Sequence, residues 1–262
     1  MPERLSYAPG VPCWVDLATT DPAAAREFYG QLFGWQFEIS PDERLGHYTT
    51  VTRNGKSVAG MVGTPMTEQP PAWGTYFATD DAQKLSELVT ANGGAIVRGP
   101  DPVGQLGTMV VWQDPTGAFV GGCQAGRHPG AQLVSEPGAV TWNELHTRDL
   151  EAAAAFYPAV LPVTAHDMSE GEFRYQTLQL DGRDVAGMWQ MSHEVPAQVH
   201  PHWAVYFSVA DTDAAVDRAT GLGASVAMLA KDSPYGRFAG LTDPHGASFY
   251  VIQTPADQGG GE

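Results

Sequence analysis

The sequence predicts an α+β protein built as two tandem copies of one domain, each copy made of two strand–helix–three-strand units. Two observations carry this. The first is an internal repeat. Trp14-Val15-Asp16-Leu17, followed by Phe28-Tyr29, returns as Trp142-Asn143-Glu144-Leu145, followed by Phe156-Tyr157, at an offset of 128. Asn54-Gly55 returns as Asp181-Gly182 at 127, and Asp114-Pro115-Thr116-Gly117 as Asp243-Pro244-His245-Gly246 at 129. The second is punctuation: within each copy a strand pattern, a capped helix and turn-linked strands occur twice. A chain of 262 residues fits two domains of ordinary size.

Taken in order, Pro12–Thr20 reads as a strand. Asp21-Pro22 then opens a helix as N-cap and first-turn proline, and Gly34 closes it. His47–Arg53 and Ser57–Val62 are strands flanking Asn54-Gly55, a strong hairpin signal. Pro65–Pro71 is a proline-rich connector. The second unit opens with a strand over Trp73–Thr79. Its helix, over about Ala82–Asn92, stops at Gly93-Gly94, and strands follow near Ala95–Arg98, Gly107–Gln113 and Ala118–Gln124. Gly126–Pro137, rich in Gly and Pro, links the copies. The first domain is thus expected over 1–126, the linker over 127–139 and the second domain over 140–256, with helices at about Leu150–Ala159 and Thr212–Leu222. A disordered tail is expected over 257–262.

Composition narrows the function. Hydrophobic residues at 43% suffice for two buried cores. A net charge of −16 repels phosphate backbones, so nucleic acid is not an expected partner. No stretch approaches about 18 apolar residues, so no membrane partner is expected. The start Met-Pro-Glu-Arg has no apolar run behind it, and Cys13 and Cys123 lack metal-type spacing. Reduced thiols in a cytoplasmic protein are the expectation. The expected partner is a small molecule, with a homodimer left open.

Four such units, an Ala-rich helix carrying Phe-Tyr, and Asp-Pro-x-Gly before the last strand together resemble the vicinal oxygen chelate superfamily. That group includes glyoxalase I, bleomycin-resistance proteins, fosfomycin-resistance enzymes and extradiol dioxygenases. The look is that of two-domain glyoxalase-like proteins of actinobacteria, and it covers about Val11 to Pro255. The resemblance implies that each half curls its two units into a cupped, barrel-like mixed sheet around a pocket, with helices outside.

The resemblance also implies where a divalent ion would be held: His, Gln or Glu on facing strands of the cup. Here the first of those positions holds Trp14 and Trp142. The position opening the second unit falls near Gly74 and Ala204, the one after Asp-Pro-x-Gly at Gly121 and Tyr250, and a further one around Gly60 and Gly187. Indole only donates, and glycine has no side chain to offer. No metal or other cofactor is therefore expected. The competing metal arrangement would use His200 and His202, two apart on a strand, with Glu144 or His146.

Strand alternation adds a second inference. If Trp14 points inward, so does Asp16, and so do the twins Trp142 and Glu144, with His146 next on that face. An inward carboxylate is costly unless paired or wet. It is either a structural acceptor for backbone or indole N–H groups, or a general acid/base in a pocket. Glu144, His146 and Asp16 are the candidate catalytic residues. The candidate ligand-binding residues are Trp142, Trp203, His202, Tyr175, Trp189, Tyr250, Trp14 and Tyr48, which would suit a flat, partly aromatic molecule. Two functions compete: a metal-independent enzyme performing proton transfer, condensation, cyclisation or isomerisation, and a protein that sequesters a toxic compound without chemistry. A metal-dependent lyase or dioxygenase is the third reading. Because Ala18 stands where His146 has its twin, ligand and chemistry are expected mainly in the second cup.

Overall fold

Each half of the chain closes one eight-stranded mixed sheet. The structure, a computed structural model, describes residues 3–42, 46–64 and 70–255. The first half runs β1 (Pro12–Thr19), α1 (Pro22–Phe33), β2 (Gln36–Ile39), β3 (Thr49–Arg53), β4 (Lys56–Gly63), β5 (Ala72–Thr79), α2 (Ala82–Ala91), β6 (Ala95–Pro102), β7 (Gly107–Gln113) and β8 (Phe119–Ala125). The second runs β9 (Val140–Thr147), α3 (Leu150–Val160), β10 (Thr164–Asp167), β11 (Tyr175–Leu180), β12 (Arg183–Gln190), β13 (His202–Ser208), α4 (Thr212–Gly221), β14 (Ser225–Ser233), β15 (Gly236–Thr242) and β16 (Ser248–Gln253). The strand orders, β2-β3-β4-β1-β5-β8-β7-β6 and β10-β11-β12-β9-β13-β16-β15-β14, are the same permutation. The expected tail over 257–262 and most of the Pro65–Pro71 connector lie outside the described residues. None of the described helices is long and apolar enough to cross a membrane.

The local signals act as their chemistry requires. Asp21 Oδ1 accepts from the Ala23 and Ala24 amides, and Gly34 ends α1 in the left-handed region at φ 71°. Asn54 and Gly55, at φ 52° and 75°, make the hairpin turn between β3 and β4, and Asp181-Gly182 repeats it at the same angles. The short edge strands β2 and β10 escape sequence reading because each has only four residues, mostly exposed, too short a run to show a period.

The cores depart from the expectation of one per half. The strands put one face into a concave cup and the other under the helices, and the helices cross between halves. In one cluster Phe28, Tyr29 and Phe33 of α1 pack with Phe207, Ala219 and Phe249 of the second half. In the other, Phe77, Leu85 and Val89 of the first half pack with Leu150, Phe156 and Tyr157 of α3. The Phe-Tyr and Asp-Pro-x-Gly motifs meet at this seam. Tyr29 donates to Asp243 Oδ2 at 3.0 Å and receives Trp73 Nε1 at 3.0 Å. Tyr157 donates to Asp114 Oδ2 at 2.6 Å and receives Trp203 Nε1 at 2.9 Å. The other oxygen of each aspartate accepts the amides of its own turn, Thr116 and Ala118 or His245 and Ala247. Between the two seams, Thr75 Oγ1 donates to Asn143 Oδ1 at 2.9 Å in the buried layer joining the sheets.

Because each core is shared, urea should unfold the whole protein in one transition. Tyr157→Phe, which strands a buried carboxylate and a buried indole N–H, is expected to cost about 2–4 kcal/mol at that transition. Two separated transitions, or a shift within error for Tyr157→Phe, would contradict the shared core.

Candidate functional site

The two cups carry the same strand pattern to different ends. On β1, Trp14 and Asp16 face the cup while Val15 and Leu17 face the core; Val15 and Leu17 are fully buried there. Trp14 Nε1 donates to the Tyr48 hydroxyl at 2.8 Å. The hydroxyls of Tyr48 and Tyr76 both turn to Asp16 Oδ2, at 3.5 and 3.2 Å. Both are long for O–H···O bonds, and they leave Oδ1 with no hydrogen bond among the described residues. Burial therefore dominates and pushes the Asp16 carboxyl up to about 6, against the opposing pull of Tyr76, Tyr48 and Arg98. The linker roofs this cup. The amides of Gly126, Arg127 and His128 bond the carbonyls of Gln105 and Leu106, and the Ala131 amide bonds the Cys13 carbonyl. The His128 ring sits edge-on to Trp14 at 4.3 Å.

In the second cup Glu144 is fully engaged. Its Oε1 accepts from His146 Nε2 at 2.8 Å and from the Tyr206 hydroxyl at 3.0 Å, and its Oε2 accepts from Tyr175 at 2.8 Å. Trp142 Nε1 reaches Tyr175 at 3.3 Å. Burial pushes the Glu144 carboxyl up, but the bond and charge of His146 and the two phenols outweigh it, so the net shift is downward. Glu144 is held as an anion and fixes the His146 proton on Nε2. Among the described residues His146 Nδ1 has no hydrogen-bond partner. Rings enclose the imidazole: Trp189 and His202 at 5.0 Å and Tyr250 at 5.6 Å. Tyr250 in turn stacks on Tyr206 at 4.5 Å. Burial, with His146 adding to it, depresses His202 to about 4, so it stays neutral and donates Nδ1–H to the His200 carbonyl.

The residues at the metal positions do not fit a divalent ion. Gly60 and Gly74 flank Asp16 in register, and Gly187 and Ala204 flank Glu144. The space a ligand side chain would need is filled by tyrosine. A Cβ at Gly60 would stand 1.8 Å from the Tyr48 hydroxyl, at Gly187 2.0 Å from that of Tyr175, and at Gly121 2.1 Å from the Tyr76 ring. Glu144 and His146 are bonded directly to each other, with no gap for an ion between them. Among the described residues no group of three or more His, Cys, Asp or Glu is arranged to hold a metal.

Ten of the eleven expected site residues thus lie in the cups: Trp14, Asp16 and Tyr48 in the first, and Trp142, Glu144, His146, Tyr175, Trp189, His202 and Tyr250 in the second. Trp203 does not. Alternation on β13 sends His202, Ala204 and Tyr206 to the cup and Trp203 to the core, where it is 3% exposed and bonds Tyr157. The reading of the sequence passed over Tyr76 and Tyr206. Their signal was available: each stands two residues after the vacated position at Gly74 or Ala204, on the same strand face. His128 carries no such signal, because the linker's path across the cup is a tertiary matter.

Residues 13–120 match the family described as Glyoxalase/Bleomycin resistance protein/Dioxygenase superfamily, and residues 139–252 match Glyoxalase-like domain. CFP32 of Mycobacterium tuberculosis, provisionally named a glyoxylase, is 42% identical over 265 residues, covering 98% of this chain and 100% of that protein. The anthracycline biosynthesis protein DnrV of Streptomyces peucetius is 39% identical over 272 residues, covering 97% and 98%. The Mn(II)-bound glyoxalase of Novosphingobium aromaticivorans superposes with a TM-score of 0.64 at 14% identity, over 95% of this chain and 86% of that one, a likeness of fold alone.

Asp16 titrates higher when folded than the ordinary carboxyl value of 3.8, so the native state binds the extra proton. Its burden on stability is absent below pH ~4 and grows as pH rises to about 6. Asp16→Asn removes that burden. The variant should gain on the parent by roughly 1–3 kcal/mol between pH 4.5 and 7.5 in parallel denaturant titrations. A difference that stays flat across that range would mean Asp16 is ionised like a surface carboxylate.

Proposed function

This chain belongs to the glyoxalase/bleomycin resistance protein/dioxygenase superfamily, and we propose that its second domain performs metal-independent acid/base chemistry on a small, partly aromatic metabolite. One observation carries the reading: His146 is held by the ionised Glu144 through Nε2, leaving Nδ1 without a hydrogen-bond partner among the described residues and close to aromatic rings. Glu144 fixes the tautomer and orientation of the ring and stabilises the imidazolium that forms when Nδ1 takes a proton. Glu144 itself, with three donors already on it, is a positioning residue. The proton taken at Nδ1 returns to the product, which suits isomerisation, cyclisation or condensation, where no net oxidant is needed.

The walls fit the substrate class. Trp142, Trp189 and Tyr250 are half-buried, so each presents a ring face to the cup as well as to its neighbours. Tyr175 and Tyr206 spend their hydroxyl protons on Glu144 and offer the ligand only their flat faces. His146 is 4% exposed, so a ligand reaches it only when a ring packed on it, Trp189, His202 or Tyr250, moves aside. The name of DnrV ties a relative covering the whole chain to anthracycline biosynthesis, and a fused-ring intermediate of that kind matches a cup walled by rings. The roof over the first cup supports assigning the chemistry to the second.

The test uses an anthracycline aglycone, with indole fluorescence quenching to read binding and chromatography to read turnover. His146→Ala is expected to lower turnover by about 10²–10⁴ while leaving binding within a few-fold, and Glu144→Gln to lower it by a similar order through loss of the fixed tautomer. Loss on Asp16→Asn with both second-cup variants fully active would place the chemistry in the first cup. Tight binding with no conversion by the parent would favour sequestration.

A further inference from the structure

One cavity lies outside both cups. It is a groove of about 400 Å³ where the C-terminal end of α1 meets the start of α4, at the seam between the halves. Phe33, Val209 and Ala214 are among its apolar lining residues, and Arg53 and Arg218 both line it. Arg53 Nη1 donates to the Phe33 carbonyl, which anchors its side chain; among the described residues its other N–H donors make no hydrogen bond. The backbone at Gly138 leaves room for it, since a Cβ there would lie 2.0 Å from Arg53 Nη1. Arg218 makes no side-chain hydrogen bond or ion pair among the described residues. Asp211, the one carboxylate on the groove, spends Oδ1 on the Ala214 amide as the α4 N-cap.

The repeat supplies an internal control. The groove's counterpart lies where α2 meets α3. There the twin of Arg53 is Leu180 and the twin of Arg218 is Leu88, and both leucines pack onto the apolar core. A pair of cations has thus replaced a pair of leucines on one side only, in a chain with only 14 Lys and Arg against 30 Asp and Glu. Two like charges lining one groove repel, and an anion bound in that groove relieves the repulsion. An opening of this size accommodates a molecule of metabolite dimensions.

We propose that the α1/α4 groove is a second ligand site, separate from both cups, which takes a small organic anion: an apolar body against Phe33 and Val209, and a carboxylate or sulfonate held between Arg53 and Arg218. Arg218 is the cleaner probe because it is exposed and bonds nothing in the fold, whereas Arg53 helps to cap α1.

The experiment is a fluorescence titration with 8-anilino-1-naphthalenesulfonate, run beside its uncharged counterpart N-phenyl-1-naphthylamine. The parent is expected to show a saturable site for the sulfonate that weakens with added salt. Arg218→Leu, which installs the twin's residue, should weaken it on the order of ten-fold with Tm unchanged, and leave the uncharged dye unaffected. Ala214→Trp, which fills the groove, should abolish the site. Sulfonate affinity unchanged in both variants, or no saturable site in the parent, would overturn the proposal. Neither variant touches a cup, so aglycone binding and turnover report on the second domain independently.

Discussion

Two buried phenol–carboxylate bonds, Tyr29 to Asp243 and Tyr157 to Asp114, hold the rest of the structure in place. Each phenol comes from a helix of one half and each carboxylate from a strand turn of the other. Burial, and then the facing carboxylate, push both phenols well above their ordinary range, so they remain donors at any physiological pH. The aspartates are satisfied on both oxygens, which is what makes a 4% exposed charge tolerable. This contact turns the convex faces of the two sheets toward each other under the helices. It thereby leaves the concave faces out of the core and free to carry polar groups.

The cups show how neighbours decide the state of a carboxylate. Asp16 and Glu144 occupy the same strand position and face the same side of their sheets. Asp16 meets two hydroxyls at long range on one oxygen, and desolvation wins. Glu144 reaches one methylene further, meets three donors on two oxygens, one of them an imidazole, and the donors win. The substitution that matters most stands two residues along: Ala18 on β1 against His146 on β9. One strand position separates a protonatable acid under a roof from an anion bonded to an imidazole.

The glycines at the vacated metal positions belong to the same design. Across from Gly60, Gly187 and Gly121 stand the rings of Tyr48, Tyr175 and Tyr76, and no side chain beyond hydrogen fits beside them. Small residues and tyrosines exchange volume across the cup floor, so that phenol hydroxyls reach the central carboxylate where ligand side chains would otherwise point inward.

The sequence by itself determined the repeat, the four units, the caps and turns, and the face on which Asp16, Glu144 and His146 lie. These follow from short-range rules: a strand alternates every residue, Asp-Pro opens a helix, and Asn-Gly bends a hairpin. By the same alternation it could have placed Tyr76 and Tyr206 in the cups and Trp203 outside. Only the tertiary structure decided that the helices pack across the seam, that Tyr29 and Tyr157 serve as clamps, and that the linker brings His128 onto Trp14. The same holds for Arg53 and Arg218, which share a groove though 165 positions apart in the chain. Such contacts depend on which surfaces bury each other, and that is fixed by the free energy of the whole assembled chain rather than by any local pattern.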